Sequence, residues 1–353
     1  MAYGNYKEKQ KPHAFQTIAK DLKEDRIGNP VLLYGKEQYL VQWACGEIVN
    51  KYVNPACAAL DYTELEGSET TVDEIIETCE TLTMFSEKRV VSVRNFPPLE
   101  GGRMKNFGEN EEKKLAEYIK NLPPSCILIF RGEKTDRRLK LTKACEASGA
   151  YYDFGPLDEP QLRGLIIKRF NAYEKAIRQN VIEELILNTG YYHKETNYTL
   201  FNLENDIKKI VAHAQGNEVT LSDVLTTVSG NLETNVFGMV DAISRNRKDE
   251  AYRLLFNLVN AGENFFMILG SIVSQFEIIL EVKELRHEGK NLSQMSSILN
   301  VHEFRIKKAM GFAERYSVEN LRKILKAAYS VDRNLKQGLL EKDLCLEMFI
   351  ASL

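Results

Sequence analysis

The stretch PVLLYGKEQYLVQWACGEIV, residues 30 to 49, decides how the first part of the chain is read. A short apolar run, Val31 to Leu33, passes through Tyr34 into Gly35-Lys36, and an apolar-rich helical pattern follows. That order is the outline of a strand, a phosphate-binding turn and a helix. A working phosphate loop reads G-x-x-x-x-G-K-[ST]: glycine amides wrap the phosphates, the lysine neutralises them, and the hydroxyl holds magnesium. Only Gly35-Lys36 matches. The first glycine falls on Pro30, which has no N–H to offer, and the hydroxyl position is Glu37, whose charge repels a phosphate by about 1 kcal/mol in water. The acidic pair expected after the apolar run CILIF (126 to 130) is replaced by Arg131-Gly132. The loop at Gly35, Lys36 and Glu37 is therefore read as a fold that has kept its shape and lost its nucleotide chemistry, with Lys36 solvated and no cofactor expected.

Outward from this stretch, VLLY is followed by RVVSV (89 to 93), CILIF and AYYDF (150 to 154), with helical patterns between them. This predicts an α/β domain with a mostly parallel sheet over residues 1–155. From Asp158 onward no strand pattern stands out and helix-period segments follow one another, among them residues 272–289 and 304–317. The polar segment SGNLETN (229 to 235) is a candidate joint, dividing a small helical domain, 156–232, from an all-α C-terminal domain, 233–353. No period of twenty to fifty residues recurs, which argues against a solenoid.

The 353 residues are 44% hydrophobic and 27% charged, ordinary for a globular chain. No apolar run approaches the ~20 residues of a membrane span, and no signal-like segment stands behind the first lysines, so a cytoplasmic protein is expected. The six cysteines form no CxxC pair and read as core residues. A formal charge of −3 opposes tight, independent binding of nucleic acid. There is no GxSxG elbow, and the five histidines show no HxxxH spacing, so neither a nucleophilic nor a metal enzyme is indicated. Carboxylate-rich ENEEKKLAEYIK (109 to 120) reads as a solvated helix face. KTDRRLKLTK (134 to 143) carries five basic residues, Lys134, Arg137 and Arg138 among them, and reads either as a solvated surface helix or as a face toward DNA.

In TVDEIIETCETLTMFSEKRVVSV (71 to 93), Thr71 and Glu74 form a capping box, and Val72, Ile75, Ile76, Cys79 and Leu82 fall on one buried face. Continued at 100° per residue, Met84 and Phe85 lie on opposite flanks away from that face. Either the helix ends near Leu82 and Phe85 tucks under the turn, or Met84 and Phe85 are exposed as an anchor for another protein.

Several pieces together carry a resemblance. They are LLYGKEQYLV (32 to 41), LTMFSEKRVVSVRN (82 to 95), LIFRGEKTDRRLKLTKA (128 to 144), FNLENDIKKIVAHA (201 to 214), NVFGMVDAI (235 to 243), VHEFRIKKAMGFAERYS (301 to 317) and AAYSVDRNLKQGL (327 to 339). In order and spacing the chain resembles the delta-subunit family of the bacterial DNA polymerase III clamp loader, AAA+ proteins that lack a nucleotide site. The resemblance implies an AAA+-like α/β domain, a helical lid and a helical collar that joins a pentameric ring. It implies a non-catalytic part of the polymerase holoenzyme that binds and opens the sliding clamp, the beta subunit. Its partners would be the loader ATPase subunits, a delta-prime-like subunit and, within the complex only, primed DNA. Leu82, Met84 and Phe85 would form the clamp-binding element, although Met84 stands where the family usually has leucine. The rival readings from other classes are a P-loop NTPase or nucleotide kinase, and a helical adaptor unrelated to replication. The segment YYHKETNYT (191 to 199) is assigned no role.

Overall fold

The computed structural model describes residues 12–83, 85–192, 198–228, 232–260, 262–337 and 342–353. The chain divides into two compact units: residues 1–158 with Thr199–Phe201, and residues 159–198 with 202–353.

The first unit runs α1 (Ala14–Lys23), β1 (Val31–Tyr34), α2 (Gln38–Tyr52), α3 (Ala58–Asp61), β2 (Tyr62–Glu66), α4 (Val72–Glu80), β3 (Arg89–Arg94), α5 (Pro97–Glu100), α6 (Glu109–Lys120), β4 (Cys126–Gly132), α7 (Lys140–Ser148) and β5 (Ala150–Asp153). Its five strands lie in the order β2-β3-β4-β1-β5, and every neighbouring pair is parallel. β1 sits between β4 and β5, with Val31 opposite Ile129 on one side and Ala150 on the other.

Parallel strands covered on both faces need apolar side chains on both, which is why VLLY and CILIF are continuous rather than alternating. Leu32, Val91, Val93, Leu128 and Phe130 meet Val72, Ile75 and Cys79 of α4, Leu115 and Ile119 of α6, and Leu141 and Cys145 of α7. Val31, Leu33, Val90, Ile127 and Ile129, the alternate positions, are equally buried. β2, YTELE, is not among the strands predicted from sequence: as an edge strand it is only half-covered, and its alternating polar residues hide it from a search for apolar runs.

The second unit is helical: α8 (Glu159–Ala172), α9 (Gln179–Thr189), α10 (Leu200–His213, whose first residues belong with the first unit), α11 (Leu221–Thr227), α12 (Leu232–Ser244), α13 (Lys248–Asn260), α14 (Phe265–His287), α15 (Leu292–Leu299), α16 (Glu303–Ala313), α17 (Val318–Lys336) and α18 (Lys342–Ser352). The expectation of helices alone needs one correction, a two-residue parallel pair of β6 (Ala176–Ile177) with β7 (Glu218–Val219). Residues 232–235 of the expected polar joint are the first turn of α12, and 229–231 lie outside the described residues. Residues 193–197 of the unassigned segment lie outside them as well. α14 is long and apolar enough by composition to cross a membrane. Here it is the centre of a bundle, with Ile268, Ile272, Phe276, Ile279 and Val282 packed among residues of α12, α16 and α17.

Candidate functional site

Two places in the first unit bear on function, and the chemistry of each begins with backbone amides. At the end of β1, Gly35 has φ +143°, and a Cβ there would stand 2.4 Å from the carbonyl oxygen of Phe154. Glycine is required because β5 passes this close. In a phosphate loop the amides after the strand are free to face an anion. Here two of them are taken: Gly35 N–H donates to Gly132 O at 3.3 Å and Glu37 N–H to Phe154 O at 3.0 Å. The Gln38 side chain donates to both Gly35 O and Gly132 O, at 2.7 and 2.8 Å, fastening the turn to β4.

Lys36 is exposed, as expected, while Glu37 is only 2% exposed. The Glu37 carboxylate accepts from the Leu200 backbone N–H at 3.2 Å, at the first residue of α10. An acidic group there is favoured by the positive end of the helix dipole. Beside it the ring of Phe201 meets Tyr39 edge-on at 5.4 Å. Residues 199–201 thus cover the turn, a long-range pairing that no local pattern in the sequence announces.

Where an acidic pair is expected near the end of β4 stands Arg131, and the neighbouring β3 ends in Arg94. Arg131 of β4 donates Nε to Ser92 Oγ at 2.9 Å and Nη2 to Glu64 at 2.5 Å. Arg94 of β3 pairs with Glu66 at 2.8 Å. Among the described residues no group of histidine, cysteine, aspartate and glutamate has the arrangement of a metal site.

The second place is the connection from α4 to β3. Thr71 caps α4 by accepting from Glu74 N–H at 3.2 Å, but the Glu74 carboxylate turns to the Thr70 hydroxyl, so only half of the expected capping box forms. Val72, Ile75 and Cys79 are buried and Ile76 half-buried. The helix stops at Glu80, because Thr81 turns extended while its hydroxyl bonds the Glu77 carbonyl at 3.0 Å. Leu82 therefore leaves the buried stripe to which its spacing assigned it and is 79% exposed. Phe85 does not tuck beneath the turn; it is 67% exposed. Met84 lies outside the described residues.

The segment carrying these side chains is anchored at both ends. Tyr118 Oη holds Glu80 at 2.8 Å, Ser86 Oγ accepts from Asn54 N–H at 3.0 Å, and Lys88 N–H donates to Tyr52 O at 3.2 Å. Arg89, only 8% exposed, donates to Leu60 O at 2.7 Å and Thr63 Oγ1 at 2.9 Å. Leu60 is itself 61% exposed, and it precedes β2 as Phe85 precedes β3, its parallel neighbour. Its place in the four-residue α3 gave the sequence reading no period to work with.

Lys134, Arg137 and Arg138 lie in the loop before α7, not on a helix. Arg137 pairs with Glu146 at 2.6 Å and lies over the Tyr151 ring at 4.7 Å. Arg138 pairs with Asp136 at 2.8 Å and holds its carboxyl down at about 2. Two of the three charges are thus locally balanced, and Lys134 is exposed.

The chain is similar to known proteins over nearly its whole length. A family model described as "DNA polymerase III, delta subunit" matches residues 31–153, and one for the C-terminal domain of the same subunit matches 233–353. Together they span more than half of the chain. The DNA polymerase III subunit delta of Bacillus subtilis is 29% identical over 95% of this chain and 96% of its own length. The solved structure of the Bacillus subtilis DNA clamp loader delta protein superposes with a TM-score of 0.55 at 28% identity, covering 96% of this chain and 98% of its own.

Proposed function

Because the chain belongs to the DNA polymerase III delta-subunit family, we propose that it is the clamp-opening arm of a replication clamp loader and hydrolyses no ATP itself. It is a component of a polymerase complex without catalytic residues of its own, acting in the cytoplasm. The observation that carries this reading is the exposure of Leu82 and Phe85 on a segment pinned at both ends. Large apolar side chains held out to solvent are typical centres of protein interfaces, and pinning lowers the entropy lost on docking. With Met84 between them they would insert near one interface of the sliding clamp and hold it in an open or strained state.

Such an arm works by binding one state of the clamp better than another, so no bond chemistry is needed. Nucleotide binding by partner ATPase subunits would expose or withdraw it. The division into an AAA+-like domain (1–155), a lid (156–232) and a collar (233–353) fits that role. The collar would join the ATPase subunits and a delta-prime-like subunit in a pentameric ring, which meets primed DNA as a whole. The filled turn at Gly35 and Glu37 supports a subunit that does not bind nucleotide, and it opposes a P-loop NTPase or kinase. The test is direct: the purified chain is mixed with the sliding clamp in the absence of nucleotide. A complex is expected, and its absence would overturn the reading.

A further inference from the structure

Among the described residues of the first unit, the large apolar side chains that stand exposed are Leu60, Leu82, Phe85 and Phe201. Phe201 belongs to the cover over the Gly35 turn, against Tyr39. The other three gather where β2 and β3, parallel neighbours, begin: Leu60 stands two residues before Tyr62, the first of β2, and Phe85 four before Arg89, the first of β3.

The segment before β2 is stitched to the one before β3. Asn54 N–H donates to Ser86 Oγ at 3.0 Å, Lys88 N–H to Tyr52 O at 3.2 Å, and Arg89 Nη1 to Leu60 O at 2.7 Å. The Asn54 side chain in turn accepts from Ala56 N–H at 3.1 Å, capping a 3₁₀ turn, Pro55–Cys57, that leads into α3. In a chain that is 27% charged, VNPACAAL (53 to 60) carries no charge, and Pro55, Ala56, Ala59 and Leu60 are exposed, so an uncharged ridge faces solvent there. On the other flank, α4 turns the carboxylates of Asp73, Glu74, Glu77 and Glu80 outward. The apolar surface at Phe85 therefore continues toward α3 and not toward α4.

A specific protein contact covers about 800 Å² on each partner. An aromatic side chain buries roughly 150–250 Å², so Leu82, Met84 and Phe85 fall short of that by themselves. A lone apolar plug is also a pivot, which resists withdrawal but not rotation. Alanine and proline lose no rotamer freedom when covered, so the ridge is a low-cost extension of the contact.

We propose that the ridge from Pro55 to Leu60 is a second contact on the partner that receives Leu82 and Phe85, and that this second point turns the pivot into a lever. The proposal rests on the clamp-opening reading and states how it is carried out. Leu82 and Phe85 attach the arm, the ridge keeps the arm from turning about them, and the strain stays in the clamp. A contact that favours the strained state shifts the clamp toward opening, whereas one that binds both states equally does not.

The test uses the full chain, the sliding clamp and a fluorophore pair across the clamp's subunit interface, so that binding and opening are read in one titration. Ala59→Glu, which sets a charge on an exposed position of the ridge, is expected to weaken binding about threefold to tenfold and to lower the open fraction at saturating protein. Leu60→Ala should act in the same direction and less. Both should keep the parent's urea midpoint; should Leu60→Ala shift it, Ala59→Glu decides. Phe85→Ala is the control and should weaken binding more than either. If Phe85→Ala weakens binding while both ridge variants saturate at the parent's open fraction, this inference fails and the clamp-opening reading stands. If Phe85→Ala also binds like the parent, the clamp-opening reading fails with it. If the parent chain self-associates on a sizing column, and Ala59→Glu abolishes this with clamp opening unchanged, the ridge receives a second copy of the chain and the proposal is overturned.

Discussion

The Glu37 carboxylate and the Leu200 amide, 163 residues apart in the chain, are joined by a hydrogen bond at the turn where a nucleotide's phosphates would lie. Glu37→Ala should cost about 1–3 kcal/mol, because the buried amide of Leu200 loses an acceptor. Glu37→Gln should cost less, since an oxygen remains. Neither variant should gain affinity for ATP: the Gly35 and Glu37 amides stay bonded to Gly132 and Phe154. Urea melts and calorimetry with magnesium and ATP check both halves. Micromolar binding by the parent chain or either variant would contradict the reading of the turn.

Phe85→Ala should weaken clamp binding by about 1.5–3 kcal/mol, roughly ten- to a hundredfold, and Leu82→Ala by a comparable amount. Stability should move by less than about 0.5 kcal/mol, since exposed side chains leave no cavity. A clamp titration and a denaturant melt on the same variants separate the outcomes. A large loss of stability with affinity intact would show that Phe85 is packed in solution.

Gly35→Ala strikes the fold rather than the interface. Its Cβ would collide with the Phe154 backbone at 2.4 Å, and its φ of +143° disfavours any side chain. Because backbone cannot yield as a flexible side chain can, the loss should exceed about 2 kcal/mol, read as a lowered urea midpoint.

How much of the fold and the site is legible in the sequence depends on the range of each interaction. β1, β3 and β4 announce themselves because both faces of the sheet are covered, while β2 hides behind Thr63 and Glu64 at the edge. The stripe Val72, Ile75, Cys79 reads correctly as core, but a period does not say where its helix stops. Spacing therefore assigns Leu82 to a face that ends two residues earlier, at Glu80. Whether Phe85 is covered depends on Asn54 and Tyr52, which fix the path of the next residues from another part of the chain. The loss of phosphate-binding residues at Pro30 and Glu37 is legible, whereas the cover over the turn at Leu200 is not. The pairing of Arg137 with Glu146 and Arg138 with Asp136 reduces an apparent basic run of five to three exposed lysines, Lys134, Lys140 and Lys143.

Acid should probe the contact between α1 and α2. Hydrogen bonds from Lys51 at 2.7 Å and Tyr52 at 2.6 Å hold the Asp25 carboxyl below its usual range. A carboxyl depressed in the folded state adds stability above its unfolded value, near 3.8, and that stability is lost as pH falls through the lower folded value. Asp25→Asn should therefore lower the melting temperature at pH 7 more than at pH 3. An equal loss at both would show that the charge is not what matters.

At the other end of the chain, Phe256 of α13 and Leu344 and Met348 of α18 are about half exposed on helices that pack together. If these helices serve as the collar, Phe256→Glu with Met348→Glu should abolish co-elution with the loader ATPases on a sizing column while leaving clamp binding unchanged. Normal co-elution would rule this face out as the joint.

The central position of β1 also bears on synthesis. Both of its hydrogen-bonding partners lie far downstream, since Val31 must wait for Ile129 and then for Ala150. At the ~5–20 residues per second of translation, that wait lasts about 6 to 24 s. During it the nascent strand has two open edges and an apolar VLLY to shield. The emerging chain is therefore a natural client for holdase chaperones at the ribosomal exit, and pausing that delays residues 126–153 should lower the yield of folded protein.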